Sequence, residues 1–418
     1  MKHRIKNAMW MLLEKIFSAF GVIFLNILVA RSLGPEKWGV INYALAITSM
    51  IIPVAQMGSQ NLLFDKIVRN RNVGVKLLIA SSDIRKVIYI ALAILSLVVI
   101  YYFNADQTLL IVFIMMAISG YFTAIDAYTP YFDATLKSKV NSIASQVSLS
   151  ISFILRFVLI SITKNVLLFT IPYVLYTGIV YFIKRAKFYK EERILNNFNR
   201  RKYRKYALQV GFPLMLSNVS IIIYLKISQI ILTNIEGVAG LGVYSAAVTI
   251  SQGWLFLPTI IITTLLAKAI TMHKQKGFWF TIVFVSSLAA SVPIVLTINF
   301  FNEEIILFTF GEKYLEAANI ISVLTTAALF SIIGTVSYRI IIHYGGYQFL
   351  MKKMVFLALF NIFLSYYMIG KFGMMGAAYS MLITEIVSAT IVNYLYTKTS
   401  IVKIHSLFYL WSFNGKKN

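Results

Sequence analysis

The chain has 418 residues, of which 59% are hydrophobic and only 13% charged, and its mean hydropathy is +0.77; a soluble domain carries roughly twice that charged fraction. Its 39 Lys and Arg against 15 Asp and Glu give a net charge of +24, but the bases sit in short breaks between apolar runs, a topogenic pattern that excludes nucleic acid as the partner. With no cysteine, disulfides, thiol chemistry and thiolate zinc sites are excluded as well.

Apolar runs of about twenty residues, enough to cross ~30 Å of hydrocarbon at ~1.5 Å per residue, recur from end to end. They predict spans at 7–30, 38–62, 87–103, 108–130, 140–162, 166–183, 207–233, 242–266, 278–301, 317–342, 354–370 and 375–397. The expected fold class is therefore all-α integral membrane, with about twelve transmembrane helices. The first run has the basic lead of a signal peptide (Lys2, Arg4, Lys6), but Glu14 and Lys15 interrupt its core and no small-residue cleavage site follows. It is expected to remain as the first span.

Ionisable side chains in a span are costly, about 2.5–3.5 kcal/mol each on insertion scales, and usually face a cavity or a partner. In the first span Lys15, Ser18 and Asn26 share a face with Glu14 beside them, so substrate contact competes with a Glu14–Lys15 pairing. In the fourth, Ser119, Thr123, Asp126, Pro130 and Asp133 fall together, and Asp126 is a candidate ion or proton site. The fifth places Asn141, Ser145, Ser148, Ser152 and Arg156 on one narrow stripe ending in a cation. Such a stripe lines a hydrated cavity, or it is a small-residue packing face with Arg156 reaching toward the interface.

Residues 184–206 then form the longest loop, with ten basic residues against Glu191 and Glu192. The loop suits contact with anionic headgroups and divides the spans into two sets of six. The expected organisation is an N-terminal six-helix lobe over 1–183, the linker 184–206, a C-terminal six-helix lobe over 207–397 and a tail over 398–418. In the seventh span Asn218, Lys226, Gln229 and Thr233 share one face, with Tyr224 and Ser228 on another. Glu385 in the last span is a further ion-coupling candidate.

With an even number of spans both termini lie on one side. That side holds 30 of the Lys and Arg, the other five, and the positive-inside rule places the termini in the cytoplasm. The halves also share a short repeat. Gly34, Gly39, Val40, Ala44 and Ile47 recur as Gly237, Gly242, Val243, Ala247 and Ile250 at a constant offset of 203 residues. Since each half begins and ends inside, the repeats run parallel.

The four histidines fall singly in loops and tails, there is no phosphate loop and no D-x-D pair, and no paired carboxylates stand out. No catalytic residue, metal ligand or cofactor is assigned, and an enzyme is not expected.

The segment Asn7-AMWMLLEKIFSAFGVIFLNILVARSLGPEKWG-Val40 resembles the first hairpin of Wzx-type polysaccharide flippases, of the multidrug/oligosaccharidyl-lipid/polysaccharide exporter superfamily. Tyr224-LKISQIILTNIEGVAGLGVYSAA-Val248 is similar to their seventh and eighth spans, Leu307-FTFGEKYLEAANIISVL-Thr325 to their tenth-span entry and Lys371-FGMMGAAYSMLIT-Glu385 to their last hairpin. Many members carry an acid two residues after the seventh-span cation, where this chain has Ser228.

The resemblance implies two lobes around a central cavity that opens to alternate sides. It implies a lipid-linked oligosaccharide substrate, an undecaprenyl-pyrophosphate-linked repeat unit such as that of O-antigen, moved across a bacterial cytoplasmic membrane. Membrane lipids and polysaccharide polymerase and chain-length proteins are the implied partners. Lys15, Arg156 and Lys226 are then candidate contacts for the pyrophosphate, with Asn141, Ser145, Ser148, Ser152, Asn218 and Gln229 as polar lining and Glu14, Asp126 and Glu385 as coupling candidates. A multidrug or cation exporter of the same superfamily would instead be lined by acids. A polysaccharide polymerase or ligase would need a large outer loop, and the longest loop here is inner. A major-facilitator transporter would need a G-x-x-x-D-R-x-G-type loop that residues 58–71 do not match.

Overall fold

A computed structural model describes residues 21–103, 106–192, 198–272, 276–409 and 411. Among them the chain is helical, with no strand. The helices are α1 Gly21–Leu33, α2 Pro35–Gln56, α3 Ser59–Arg69, α4 Arg71–Phe103, α5 Gln107–Ile125, α6 Tyr128–Ala134, α7 Ser138–Ile162, α8 Ile171–Glu191, α9 Arg200–Gly253, α10 Phe256–Thr271, α11 Lys276–Phe300, α12 Asn302–Thr309, α13 Ala317–His343, α14 Tyr347–Val387 and α15 Ile401–His405. A single π turn, Ser388–Val392, extends α14.

Among the described residues eight helical runs are long and apolar enough to cross a membrane. Fewer runs than predicted spans appear because two of the runs each contain a sharp bend at a glycine where the backbone leaves helical geometry, and because most of the first predicted span, 7–30, lies outside the described residues. The 71-residue run Arg200–Ile270 would be about 107 Å long if straight, over three times a ~30 Å hydrocarbon core, so it accounts for more than one crossing. Gly237 (φ 76) breaks helical geometry inside it, at the loop expected between spans 207–233 and 242–266. Gly373 (φ 55) does the same within α14, between spans 354–370 and 375–397. α8 covers the predicted span 166–183, but Lys184, Arg185, Lys187 and Lys190 in its second half keep it out of the eight.

Local chemistry places the helix ends. Pro35 opens α2, where its missing N–H costs nothing. The Asp106 carboxylate accepts from Thr108 N at 2.8 Å and caps α5. Asn70 accepts from Val73 N at 3.1 Å at the start of α4. Gly34 and Gly237, the first glycines of the repeat, adopt the same backbone, φ 81 and ψ 170 against φ 76 and ψ −178. Only glycine enters that region without strain, so the repeat carries one turn geometry in both halves.

The chain packs as two compact units, residues 1–226 and 227–418, divided within α9. In the first, α2, α4, α5 and α8 form the centre and α7 packs on α8. Phe24 of α1 stacks on Phe153 of α7, ring centroids 6.1 Å apart. At the end bearing α3 and α6, hereafter the basic end, Leu62, Leu63, Ile67, Leu77, Leu78, Tyr128, Tyr131, Phe132, Tyr181 and Phe188 form an apolar core. In the second unit α13 packs on α14 and α11, and α10 on α11.

The C-terminal α15 docks on α11 through His405. Its ring stacks on Phe284 at 4.8 Å, its Nε2 hydrogen-bonds the Ser337 hydroxyl at 3.0 Å and its Nδ1 the Tyr394 hydroxyl at 3.1 Å. Burial pushes His405 down to about 4. A histidine held neutral in the docked state stabilises docking above its ordinary value near 6.5 and loses that contribution as pH falls from there toward 4. Amide exchange at Ile401–His405 should accelerate between pH 6.5 and 4, after correction for intrinsic rates, and a His405→Asn variant should show no such pH dependence.

Candidate functional site

The fifth-span stripe emerges on one face of α7. Asn141, Ser145, Ser148, Ser152 and Arg156 are all buried, against the interior of the first unit. The Ser148 hydroxyl returns its proton to Ala144 O at 2.7 Å, one turn back. Asn141 Nδ2 donates to Thr129 O at 3.1 Å and Asp133 Oδ1 at 2.8 Å, tying α7 to α6. At the far end the Arg156 guanidinium lies over the Tyr173 ring of α8, 4.0 Å from its centroid. Its Nε and the Tyr173 hydroxyl are both buried without a hydrogen-bond partner, as is Asn141 Oδ1. Among the described residues no carboxylate forms an ion pair with Arg156. A desolvated cation over an aromatic face is held by about 2 kcal/mol, which anchors the charge and leaves its N–H donors for a further acceptor.

Asp126 sits where α5 gives way to α6. Oδ1 accepts from Tyr128 N at 2.9 Å and Thr129 N at 3.3 Å, capping α6. Oδ2 accepts from the Thr129 hydroxyl at 2.7 Å and from Lys184 Nζ of α8 at 3.1 Å, and Lys184 also reaches Thr129 Oγ1 at 2.8 Å. The Asp126 carbonyl takes Gln60 Nε2 at 3.1 Å and Arg85 Nη1 at 3.2 Å. Both carboxylate oxygens are thus engaged. Around this core, Glu192 pairs with Arg71 at 2.7 Å and accepts from the Tyr131 hydroxyl at 2.6 Å, and Glu191 pairs with Lys137 at 2.6 Å.

On α9, Gln229 and Thr233 are buried, while Asn218 and Lys226 are half-buried. Ser228 belongs to an uncharged knot. Its hydroxyl meets that of Ser365 at 2.9 Å; Ser365 bonds Ser380 Oγ at 3.0 Å and Asn361 Oδ1 at 3.3 Å; Asn361 Nδ2 reaches Thr384 Oγ1 at 2.9 Å. Beside the knot, buried Glu385 lies within electrostatic reach of Lys353. Lys353 Nζ donates to Ser388 O at 2.9 Å and Asn393 Oδ1 at 2.7 Å, holding the two ends of the π turn. Glu14 and Lys15 lie outside the described residues.

Sequence reasoning missed three cations. Arg85, Lys184 and Lys353 were counted among the loop bases, yet all three are buried. Each continues the buried face of its helix: Ser81, Arg85 and Tyr89 on α4; Gly178, Tyr181, Lys184 and Phe188 on α8; Leu350, Lys353 and Leu357 on α14. The spacing of three and four could have found them.

A family model described as polysaccharide biosynthesis protein matches residues 5–270. A capsular polysaccharide biosynthesis protein, CapF of Staphylococcus aureus, is 24% identical over 411 residues, covering 94% of this chain and 99% of that protein. Among solved structures, the lipid II flippase MurJ in an inward closed conformation is similar with a TM-score of 0.74 at 18% identity, over 95% of this chain and 90% of that one. An inward-facing multidrug resistance MATE family transporter of the MOP superfamily is similar with a TM-score of 0.68 at 14% identity, over 93% and 96%. The fold is therefore the all-helical, multi-pass fold of these transporters.

Proposed function

We propose, from the premise that this chain belongs to the polysaccharide biosynthesis protein family, that it is a flippase for an undecaprenyl-pyrophosphate-linked oligosaccharide. It moves an O-antigen-like repeat unit from the inner to the outer leaflet of a bacterial cytoplasmic membrane by alternating access. In this reading the chain crosses twelve times with both termini in the cytoplasm. The lobes are 1–183 and 207–397 around a central cavity, joined by the linker 184–206 and followed by the tail 398–418.

The observation that carries the proposal is the charge accounting of the buried groups. Among the described residues the buried acids have lysines: Asp126 is paired with Lys184, and Glu385 lies by Lys353. Arg156 has an aromatic ring instead, with an unpartnered N–H. A cation exporter needs acids that are open to its substrate; an anion carrier needs a cation held by something other than an acid. A membrane potential negative inside would favour outward movement of the anion by about 2.3 kcal/mol per charge per 100 mV. Catalysis has no part in this reading, and polymerase and chain-length proteins would act on the product outside.

Lys226 shares the face of Asn218, Gln229 and Thr233 and is a second proposed pyrophosphate contact. In proteoliposomes carrying a fluorescent undecaprenyl-pyrophosphate oligosaccharide, the parent should bring the sugar to the far leaflet, where periodate reaches it. Lys226→Arg should keep that rate, and Lys226→Gln should cut it about tenfold. A parent that moves an organic cation but not the lipid-linked sugar would establish the exporter instead.

A further inference from the structure

The segment Arg200–Lys226 of α9 follows the basic loop, yet it packs with the first unit. The contact is backbone against backbone. α2 ends in two consecutive left-handed residues, Met57 (φ 49) and Gly58 (φ 62), and Gly211 lies directly on this turn. A Cβ at Gly211 would stand 2.1 Å from the Met57 carbonyl oxygen, and one at Gly58 would stand 2.5 Å from Leu214 Cβ and 2.6 Å from the Gly211 carbonyl oxygen. Only glycine allows that approach, and at Gly58 only glycine takes the φ readily.

Around this point the contact is polar and open to water. Asp83 meets Arg204 at 2.6 Å and Arg200 at 3.8 Å, with all three side chains well exposed. Lys66 Nζ lies 4.9 Å from the centre of the Tyr206 ring. Exposed pairs of this kind contribute little net stability. Of the α9 segment, Ala207 alone is counted in the buried apolar core, with Tyr203, Tyr206 and Leu214 at its margin. Beside the turn a cavity of about 10 Å³ is lined by Gln56, Ser59, Ser81, Arg85, Ala207 and Leu208, room for about one water. Arg85 is 1% exposed; its Nη2 donates to Ser59 Oγ at 2.5 Å and its Nε has no partner. A seat built from glycines, exposed ion pairs and two arginines whose Nε atoms lack a partner, Arg85 and Arg204, fits tightly and separates without uncovering a large apolar surface.

We propose that this contact is a latch: Arg200–Lys226 seats on the Met57–Gly58 turn when the basic end is closed and lifts off it once in each transport cycle. The proposal rests on the alternating-access reading above.

The absence of native cysteine makes the test clean. An Asp83→Cys/Arg204→Cys variant, joined by a short bis-methanethiosulfonate, should lose at least nine-tenths of its lipid-linked sugar transport and regain it when dithiothreitol cleaves the bridge. A bridged protein that transports like the unbridged double variant would overturn the latch. A second arm uses no substrate. Ser81→Cys, in the cavity under the seat, should react several-fold faster with an impermeant maleimide in inside-out vesicles when Gly211→Ala is added, because the new methyl cannot fit against Met57. Unchanged labelling overturns the latch whatever the protein carries. Faster labelling, with no lipid-linked sugar moved even by the parent, leaves the latch standing and removes the substrate reading.

Discussion

Replacing Arg156 by alanine should reduce surface polysaccharide at least tenfold while leaving the amount of folded protein near that of the parent. The separation follows from what holds the side chain. Arg156 is buried over Tyr173 and pairs with no carboxylate among the described residues, so its removal strands no buried anion. The loss to folding is the ring contact, about 2 kcal/mol, partly offset because a buried cation in a span is itself costly. The loss to function is a charge at the head of the Asn141–Ser152 stripe. Arg156→Lys should recover part of the export, since it keeps the charge but not the planar stack or the fork of donors. Tyr173→Ala should fall between the two, and Tyr173→Phe should stay near the parent. Size-exclusion chromatography of a fluorescent fusion measures folded protein alongside export. If Arg156→Ala exports normally at normal abundance, the stripe is a packing face and the proposed anion site is lost.

Lys184→Met should have the opposite signature, a protein that fails to accumulate. Lys184 and Asp126 are both mostly buried, and the pair joins α8 to the α5–α6 corner. Breaking a buried pair on one side leaves an uncompensated charge and costs about 3–5 kcal/mol. The double variant Lys184→Met/Asp126→Asn should recover most of that stability, because the asparagine oxygen can still cap α6 at Tyr128 N and Thr129 N. Thermal unfolding in detergent distinguishes the two. If Asp126 also couples an ion to transport, the double variant should regain stability but not export. If its part is structural, stability and export should return together in the double variant.

The amino-acid sequence by itself determined the class and the family. Crossing hydrocarbon demands about twenty apolar residues with every backbone group bonded within the helix, a constraint so strong that composition alone announces it. Gly34 and Gly237 were legible for a related reason: a turn open only to glycine leaves a glycine at the same offset in both halves. The α7 stripe was legible from spacing, because positions three and four apart share a helix face in any surroundings. What faces the stripe was not. That Arg156 meets Tyr173, that Asp126 caps a short helix while holding Lys184, and that Ser228 joins an uncharged knot depend on helices distant in the chain. Arg85, Lys184 and Lys353 read as loop bases because a charge count along the chain does not show which long side chains turn inward to a partner. The first stretch of α9, Arg200–Lys226, follows the basic loop in sequence, yet it packs with the first unit. Only tertiary structure could decide that, since the seat at Gly58 and Gly211 is made by the absence of side chains, and an absence has no pattern until two backbones meet across it.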